Sequence, residues 1–97
     1  GREMKELHPL MVLSPRDFNE HTGIVIGLAM TTASYNDTNP FAVKIKGPKG
    51  TRSYILGHQP KSFDWRARKA KPHPLKKVPD ESYALACETL NQIIDIG

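Results

Sequence analysis

The sequence has no apolar run of about 18 residues, the length that a membrane-spanning helix needs. Its opening residues 1–6 are too polar for a secretory signal peptide. We therefore expect a cytoplasmic protein with no membrane partner. The chain also has a single cysteine, Cys87, which excludes an internal disulfide. Because Cys87 lies among apolar residues in a helical pattern, we interpret it as an inert core thiol rather than a nucleophile.

Recognisable metal and nucleotide motifs are missing as well. The segment from Gly47 to Thr51 is only superficially like a phosphate-binding loop, because its lysine does not follow the second glycine and no helix begins there. The histidines have no cysteine pair or carboxylate cluster at a spacing typical of zinc or magnesium sites. These four scattered residues are His8, His21, His58 and His73. We expect a protein that uses no metal ion or other cofactor.

Positive charge is abundant and unevenly placed. The formal net charge is +4, and 11 of the 14 Lys and Arg residues lie between positions 44 and 77. That stretch contains one acid, Asp64. A concentrated positive field favours a polyanionic partner, since each neutralised phosphate releases condensed counterions. Ordinary solvated lysines remain the alternative interpretation of the charge alone.

The composition predicts a single, mostly β domain over residues 1–97. A chain this short rarely contains two cores, and eight prolines with seven glycines indicate many turns. Apolar residues at three- and four-residue steps after Pro79 predict a C-terminal helix that Gly97 can end. Residues 16–21 form either a helical turn or a loop. We predict strands at residues 7–14, 24–30, 41–46 and 51–56, followed by an extended segment at 59–68.

Several short motifs follow one another in a fixed order. They are Pro9 to Pro15, a Thr31-Thr32 pair ending a buried strand, Asn39-Pro40-Phe41, the segment from Gln59 to Arg68, and the closing helix. This ordered set resembles the MazF/PemK toxins along nearly the whole chain. Their pattern has an apolar strand ending in Ser-Pro, a Thr-Thr or Thr-Ser corner, a Pro-Phe strand start and Asp-Gln-x-Lys-Ser or Asp-Gln-x-Arg-Ser. The resemblance implies a small SH3-like β-barrel of the CcdB/PemK type with a C-terminal α-helix.

The resemblance also implies an endoribonuclease of a type II toxin-antitoxin system that cuts single-stranded mRNA without a metal. The 2′-hydroxyl of the RNA attacks the neighbouring phosphorus, so the protein supplies a base, an acid and donors for the extra negative charge. Glu3 is the candidate base and His8 the candidate acid or phosphate donor. Thr31 donates to the phosphate, unless its hydroxyl serves only the backbone at the strand end. Glu3 has its own alternative as a solvated terminal acid.

RNA contacts are expected mainly from loop and basic side chains, because free base edges are available on single strands. Trp65 and Phe63 offer stacking surfaces, but we favour a core role for Trp65. The expected RNA-binding residues are Thr32, Tyr35, Asn36, Asn39, His58, Gln59, Lys61, Arg66 and Arg68.

Three features depart from the family pattern. The sequence starts after the strand with which the family opens, so we expect a part of a longer protein. His8 stands where the family has an arginine, and an ordinary histidine titrates near pH 6.5 rather than staying charged. His58 replaces the aspartate before the glutamine. These changes affect the chemistry more than the fold.

The partners implied by the resemblance are single-stranded RNA, a second copy of the chain and an acidic antitoxin of the MazE/PemI type. DNA would be reached only through the toxin-antitoxin complex. The alternative function is a non-catalytic binding module on the same fold, either a gyrase poison or a repressor partner, because fold does not fix function.

Overall fold

The structure is a computed structural model that describes residues 9–71 and 77–94. The elements in chain order are β1 (Leu10–Val12), α1 (Arg16–Thr22), β2 (Ile24–Thr31), a 3-10 turn (Ser34–Thr38), β3 (Ala42–Lys46), a second 3-10 turn (Pro48–Gly50), β4 (Arg52–Asp64) and α2 (Asp80–Ile93). The segment at residues 16–21, left open between helix and loop, is helical. The start of the predicted first strand lies outside the described residues.

The four strands form one antiparallel sheet in the order β1-β2-β4-β3. Strand β4 is 13 residues long and combines the two segments predicted at 51–56 and 59–68. Residues 52–56 of β4 pair with β3, whereas β2 pairs with β4 at residues 54–55 and again at residues 60–64. The sheet curls into a half-barrel.

The curl is concentrated at a register shift in β4. Leu28 of β2 pairs with Pro60, whereas Met30, two residues further, pairs with Ile55. The extra residues of β4 bulge out of the ladder, which bends the strand. Gly57 lies in this bend, where an added Cβ would come within 2.7 Å of a side-chain carbon of Thr89 on α2. The absence of a side chain there lets α2 approach β4 closely.

The core lies between the sheet and α2. Its central residues are Leu28 and Ile55, both 0% exposed. The cluster comprises Met11, Leu28, Met30, Val43, Ile45, Ile55, Ala86 and Leu90. Ala86 and Leu90 come from α2, one helical turn apart, so the helix is anchored by a narrow apolar stripe. No described helix is long and apolar enough to cross a membrane.

Helix α1 is tied to the far end of β4. The indole nitrogen of Trp65 donates to the carbonyl of Asn19 at 2.8 Å, and a guanidinium nitrogen of Arg66 donates to the carbonyl of Glu20 at 2.5 Å. Gly23 ends the helix in the left-handed region, with φ at 76°. Trp65 is half-buried against this helix end, so its side chain has a structural role. Cys87, expected in the core, is only half-buried.

Replacing Ile55 by alanine tests the packing of the core. We expect Ile55→Ala to lower the free energy of unfolding by about 2–5 kcal/mol, because it removes buried methylenes and leaves a cavity. The matched control is Ile93→Ala at a side chain that is 46% exposed, where we expect a change within about 0.5 kcal/mol. Urea unfolding measures both. Equal losses for the two variants would contradict this placement of the core.

Candidate functional site

The threonine corner at the end of β2 is the first part of the candidate site. Thr31 is half-buried and Thr32 is exposed. The Thr31 hydroxyl oxygen accepts a hydrogen bond from the Ala33 backbone N–H at 3.1 Å. This contact uses the oxygen as an acceptor, so it leaves the hydroxyl proton for an incoming phosphate. The two expected roles of Thr31, backbone support and phosphate donation, are therefore compatible.

A row of side chains crosses the sheet from this corner. Thr31 of β2 pairs with Tyr54 of β4, and Tyr54 pairs with Lys44 of β3. Directly paired residues project from the same face of a sheet, about 4.5–5.5 Å apart. In the next position of the hairpin, Arg52 pairs with Lys46. The corner therefore borders a face that carries three cations.

The 3-10 turn above this face is held together by two asparagines. Asn36 is 3% exposed, and its amide nitrogen donates to the Ala33 carbonyl at 3.1 Å. Its side-chain oxygen accepts from the Asn39 amide at 2.9 Å, while Asn39 in turn accepts from the Phe41 backbone N–H at 2.9 Å. Both side chains were predicted to contact bases. In this arrangement their amides serve the turn itself.

Tyr35 lies in the same turn, but its side chain is exposed, whereas that of Asn36 is buried. Its side chain is 79% exposed, the most exposed of the large apolar residues in the described chain. The neighbouring residues have their backbone and amide groups fixed, so Tyr35 projects from an ordered support. This is the geometry expected of a side chain that contacts an unstacked base.

Asp37 attaches the turn to the sheet. Its carboxylate accepts a 2.6 Å hydrogen bond from the Tyr54 hydroxyl and lies 3.4 Å from the Lys44 ammonium and 3.5 Å from the Arg52 guanidinium. The Tyr54 hydrogen bond is the largest single cause that lowers the pKa of Asp37, and Lys44 and Arg52 lower it further. The same bond raises the pKa of Tyr54. The sequence did not indicate this cluster, because Asp37 is 7 to 17 positions from the other members and no motif links them.

The bend of β4 holds a second group of predicted residues. His58 is half-buried, with its ring centroid 5.5 Å from that of Phe41, and Nδ1 is buried without a hydrogen-bond partner among the described residues. Gln59 and Lys61 follow and are exposed. These side chains lie further along β4 than Tyr54, so they extend the candidate surface away from the threonine corner.

The last two predicted cations lie beyond the end of β4. Arg66 stacks over the Trp65 ring at 4.8 Å, and Arg68 over the Phe63 ring at 5.5 Å. Arg66 is partly committed to α1 through its bond to Glu20. Glu3 and His8, the other two catalytic candidates, lie outside the described residues. Among the residues that are described, no three His, Cys, Asp or Glu side chains are grouped as a metal site would require.

A curled, strand-rich half-barrel with a C-terminal helix is a fold class shared with solved toxin structures. The chain is similar to one in the crystal structure of MazE-MazF (Form-III) from Deinococcus radiodurans, with a TM-score of 0.78 and 27% identity over 93% of this chain and 87% of that chain. It is similarly related to MazF (Form-I) from Deinococcus radiodurans, with a TM-score of 0.78 and 27% identity over 99% of this chain and 84% of that one.

The family follows from the sequence pattern. Residues 1–94 match the family of PemK-like, MazF-like toxins of type II toxin-antitoxin systems, and the chain belongs to that family. No match was found among proteins of curated function. The predicted family, the mostly β fold and the C-terminal helix are thereby confirmed.

The ionisation of Asp37 provides a test of the attachment between turn and sheet. Because its folded pKa is lowered, the stabilisation from this carboxylate is fully present above the ordinary value of 3.8 and is lost as pH falls through the lowered value. We expect carboxyl NMR titration to give a pKa below 3.8 in the parent. Tyr54→Phe should move it back toward 3.8, since the hydroxyl is the largest cause. An unchanged midpoint in that variant would contradict the hydrogen bond.

Proposed function

We propose that the protein is a toxin that cuts single-stranded mRNA at specific sequences by metal-independent attack of the 2′-hydroxyl. One observation carries the proposal: Thr31, with an available hydroxyl proton, lies in one row with Tyr54 and Lys44, and the turn that carries the exposed Tyr35 is bonded to this row. Phosphate donors, cations and an aromatic surface are thus adjacent. These are the components that binding and cleavage of a flexible RNA strand require.

The proposed reaction uses a nucleophile supplied by the substrate. The base, Glu3, removes the 2′ proton while the 2′ oxygen bonds to phosphorus and the bond from phosphorus to the 5′ oxygen breaks. The acid, His8, gives a proton to the leaving 5′ oxygen. Thr31 and Thr32 donate hydrogen bonds to the phosphate oxygens as negative charge builds up. The products are a 2′,3′-cyclic phosphate and a free 5′-hydroxyl, and no step needs a metal.

RNA binding is proposed to extend from the threonine corner along β4. Tyr35 contacts a base, whereas Asn36 and Asn39 shape the turn that carries it. Further along the strand, His58 borders the path of the RNA. The sugar-phosphate backbone of the RNA is bound by exposed polar and basic residues, which are Gln59, Lys61, Arg66 and Arg68.

The proposed partners are a second copy of the chain and an acidic antitoxin in the cytoplasm. Structures of MazE-MazF from Deinococcus radiodurans contain the toxin with its antitoxin. A cationic face suits both RNA and an acidic segment. Ile24 and Ile26, which project from one face of β2, are 39% and 38% exposed, an apolar surface that pairing of two copies would cover. DNA would be bound only as part of the toxin-antitoxin complex.

A non-catalytic binding module, such as a gyrase poison or a repressor partner, is the second candidate. The observation that favours it is the pair of histidines at positions where the family pattern has arginine and aspartate. His58 is half-buried with one ring nitrogen unpartnered among the described residues, which does not reproduce a charged carboxylate. Cleavage products distinguish the two functions directly.

The decisive measurement is incubation with a long RNA in EDTA, followed by identification of the new ends. We expect cyclic phosphate and 5′-hydroxyl ends at specific sites. His8→Ala should lower the cleavage rate about 100-fold, the usual scale for a general acid or base. His8→Arg should restore part of the rate and flatten the alkaline decline if His8 acts as a cation, and should remain slow if it donates a proton. Full activity of His8→Ala across pH 5 to 9 would remove His8 from the mechanism.

RNA affinity should also depend steeply on salt. Each phosphate contact on a single strand contributes a slope of about 0.7 in log affinity against log salt. We expect the slope of the parent to correspond to several phosphate contacts. Lys44→Ala should reduce the slope by the amount of about one contact. Asp17→Asn, which alters an exposed acid in the first turn of α1, at the other end of that helix from the carbonyl that binds Arg66, is the charge control and should leave the slope unchanged. Affinity that does not respond to salt would contradict a cationic RNA site.

A further inference from the structure

The turn that carries Tyr35 is connected to the sheet through one acidic side chain. Inside the turn, the two asparagine amides fix its shape. Outside it, Asp37 bonds to Tyr54, which is 1% exposed and therefore held by the surrounding core. The contact between Asp37 and Tyr54 therefore joins the turn to a side chain that pairs with Thr31 of the threonine corner.

We propose that Asp37 is a positioning residue for RNA recognition: it docks the Ser34–Thr38 turn on Tyr54 so that Tyr35 forms a fixed stacking surface for one unpaired base. The inference rests on the proposed RNA binding and does not require cleavage. Because Tyr54 also pairs with Thr31, a base on Tyr35 would be held in register with the phosphate at the threonine corner.

The exposure of Tyr35 supports this role. A buried Tyr54 hydroxyl needs an acceptor, and that need alone explains its bond to Asp37. It does not explain why Tyr35, two positions before Asp37 in the same turn, is 79% exposed. A rigid support removes the entropy cost of ordering the ring when a base stacks on it, so a pre-positioned aromatic binds more tightly than a mobile one.

The two cations beside Asp37 support the same assignment. Lys44 and Arg52 are 56% and 63% exposed, and each contacts the carboxylate at the long end of the ion-pair range. Exposed pairs of this kind contribute little to stability. Both cations contact Asp37, two residues after Tyr35, and more than half of each side chain is exposed, so both can also reach the phosphates that flank a base on Tyr35. The carboxylate therefore orients the cations while leaving them able to bind RNA.

The experiment measures equilibrium binding of short, uncleavable single-stranded RNAs that contain a 2′-deoxy sugar at the cut site and differ in one base at a time. Tyr35→Ala should weaken binding about tenfold, the scale of one lost base stack, and Tyr35→Phe should restore it. Asp37→Ala and Tyr54→Phe should reduce discrimination between bases at one position about fivefold or more. Both should also increase amide hydrogen exchange in residues 34–39.

Lys44→Ala and Lys46→Ala form a matched pair, since each removes one positive charge from the same face of β3. Only Lys44 contacts Asp37. We expect both to weaken RNA binding, but only Lys44→Ala to alter base discrimination. Tyr54→Phe keeps the buried ring, and Asp37→Ala keeps Tyr54 whole. A loss of discrimination shared by the two variants, both still unfolding cooperatively in urea, cannot be attributed to misfolding.

Several results would overturn the inference: unchanged affinity in Tyr35→Ala, unchanged hydrogen exchange in both Asp37→Ala and Tyr54→Phe, or base discrimination that persists after the turn has been loosened. Parent protein that binds no RNA, or that binds an acidic peptide on this face instead, would also overturn it. Selective RNA binding by a parent that cuts no RNA would refute the proposed nuclease while leaving the positioning role of Asp37 intact.

Discussion

The bend in β4 between Leu56 and Pro60 is the constraint on which the other features of this structure depend. Strand β2 pairs with β4 on both sides of the bend, at residues 54–55 and 60–64, whereas β3 pairs only with residues 52–56 before it. Because β4 bends while its pairing with β2 continues, the sheet curls instead of staying flat. The bend also places Gly57 in contact with Thr89 of α2. The distortion that curls the sheet therefore also allows α2 to pack closely over the core.

The bend also separates the candidate surface into two parts with different chemistry. Before it, Tyr54 connects the threonine corner to the cationic hairpin. After it, Gln59 and Lys61 carry exposed polar and basic groups toward the arginines that stack on aromatic rings. A strand of RNA that followed β4 would meet hydroxyl donors and an aromatic side chain first, and backbone-binding cations afterwards. This order agrees with a reaction at one end of a longer binding path.

Two of the cations on this surface are arranged around one acidic side chain. Asp37 precedes the basic stretch in the sequence, but the fold places its carboxylate between two cations of that stretch. The positive field on this surface is therefore reduced locally by an acid that the order of charges along the sequence does not predict. A buried tyrosine hydroxyl holds that carboxylate ionised by lowering its pKa. An exposed ion pair alone would be weak and screened by salt, whereas attachment to a core side chain fixes its position.

The sequence by itself determined the family, the strand-rich fold and the closing helix. Alternating and three-to-four-residue apolar spacing follow from local backbone geometry, and ordered motifs such as the threonine corner keep their spacing whatever their tertiary contacts. Chemical type also singled out Thr31 and the basic stretch as candidates for RNA contact. What only the tertiary structure decided is how residues distant in sequence share their hydrogen bonds. Asn36 is buried while Tyr35 beside it is exposed, and Asp37 meets Tyr54 across 17 positions, because a turn's orientation depends on the sheet that it contacts. The sequence also did not predict that the segments at 51–56 and 59–68 join into the single strand β4. A bulge is a mismatch between two paired strands, so the sequence of one strand does not reveal where it occurs.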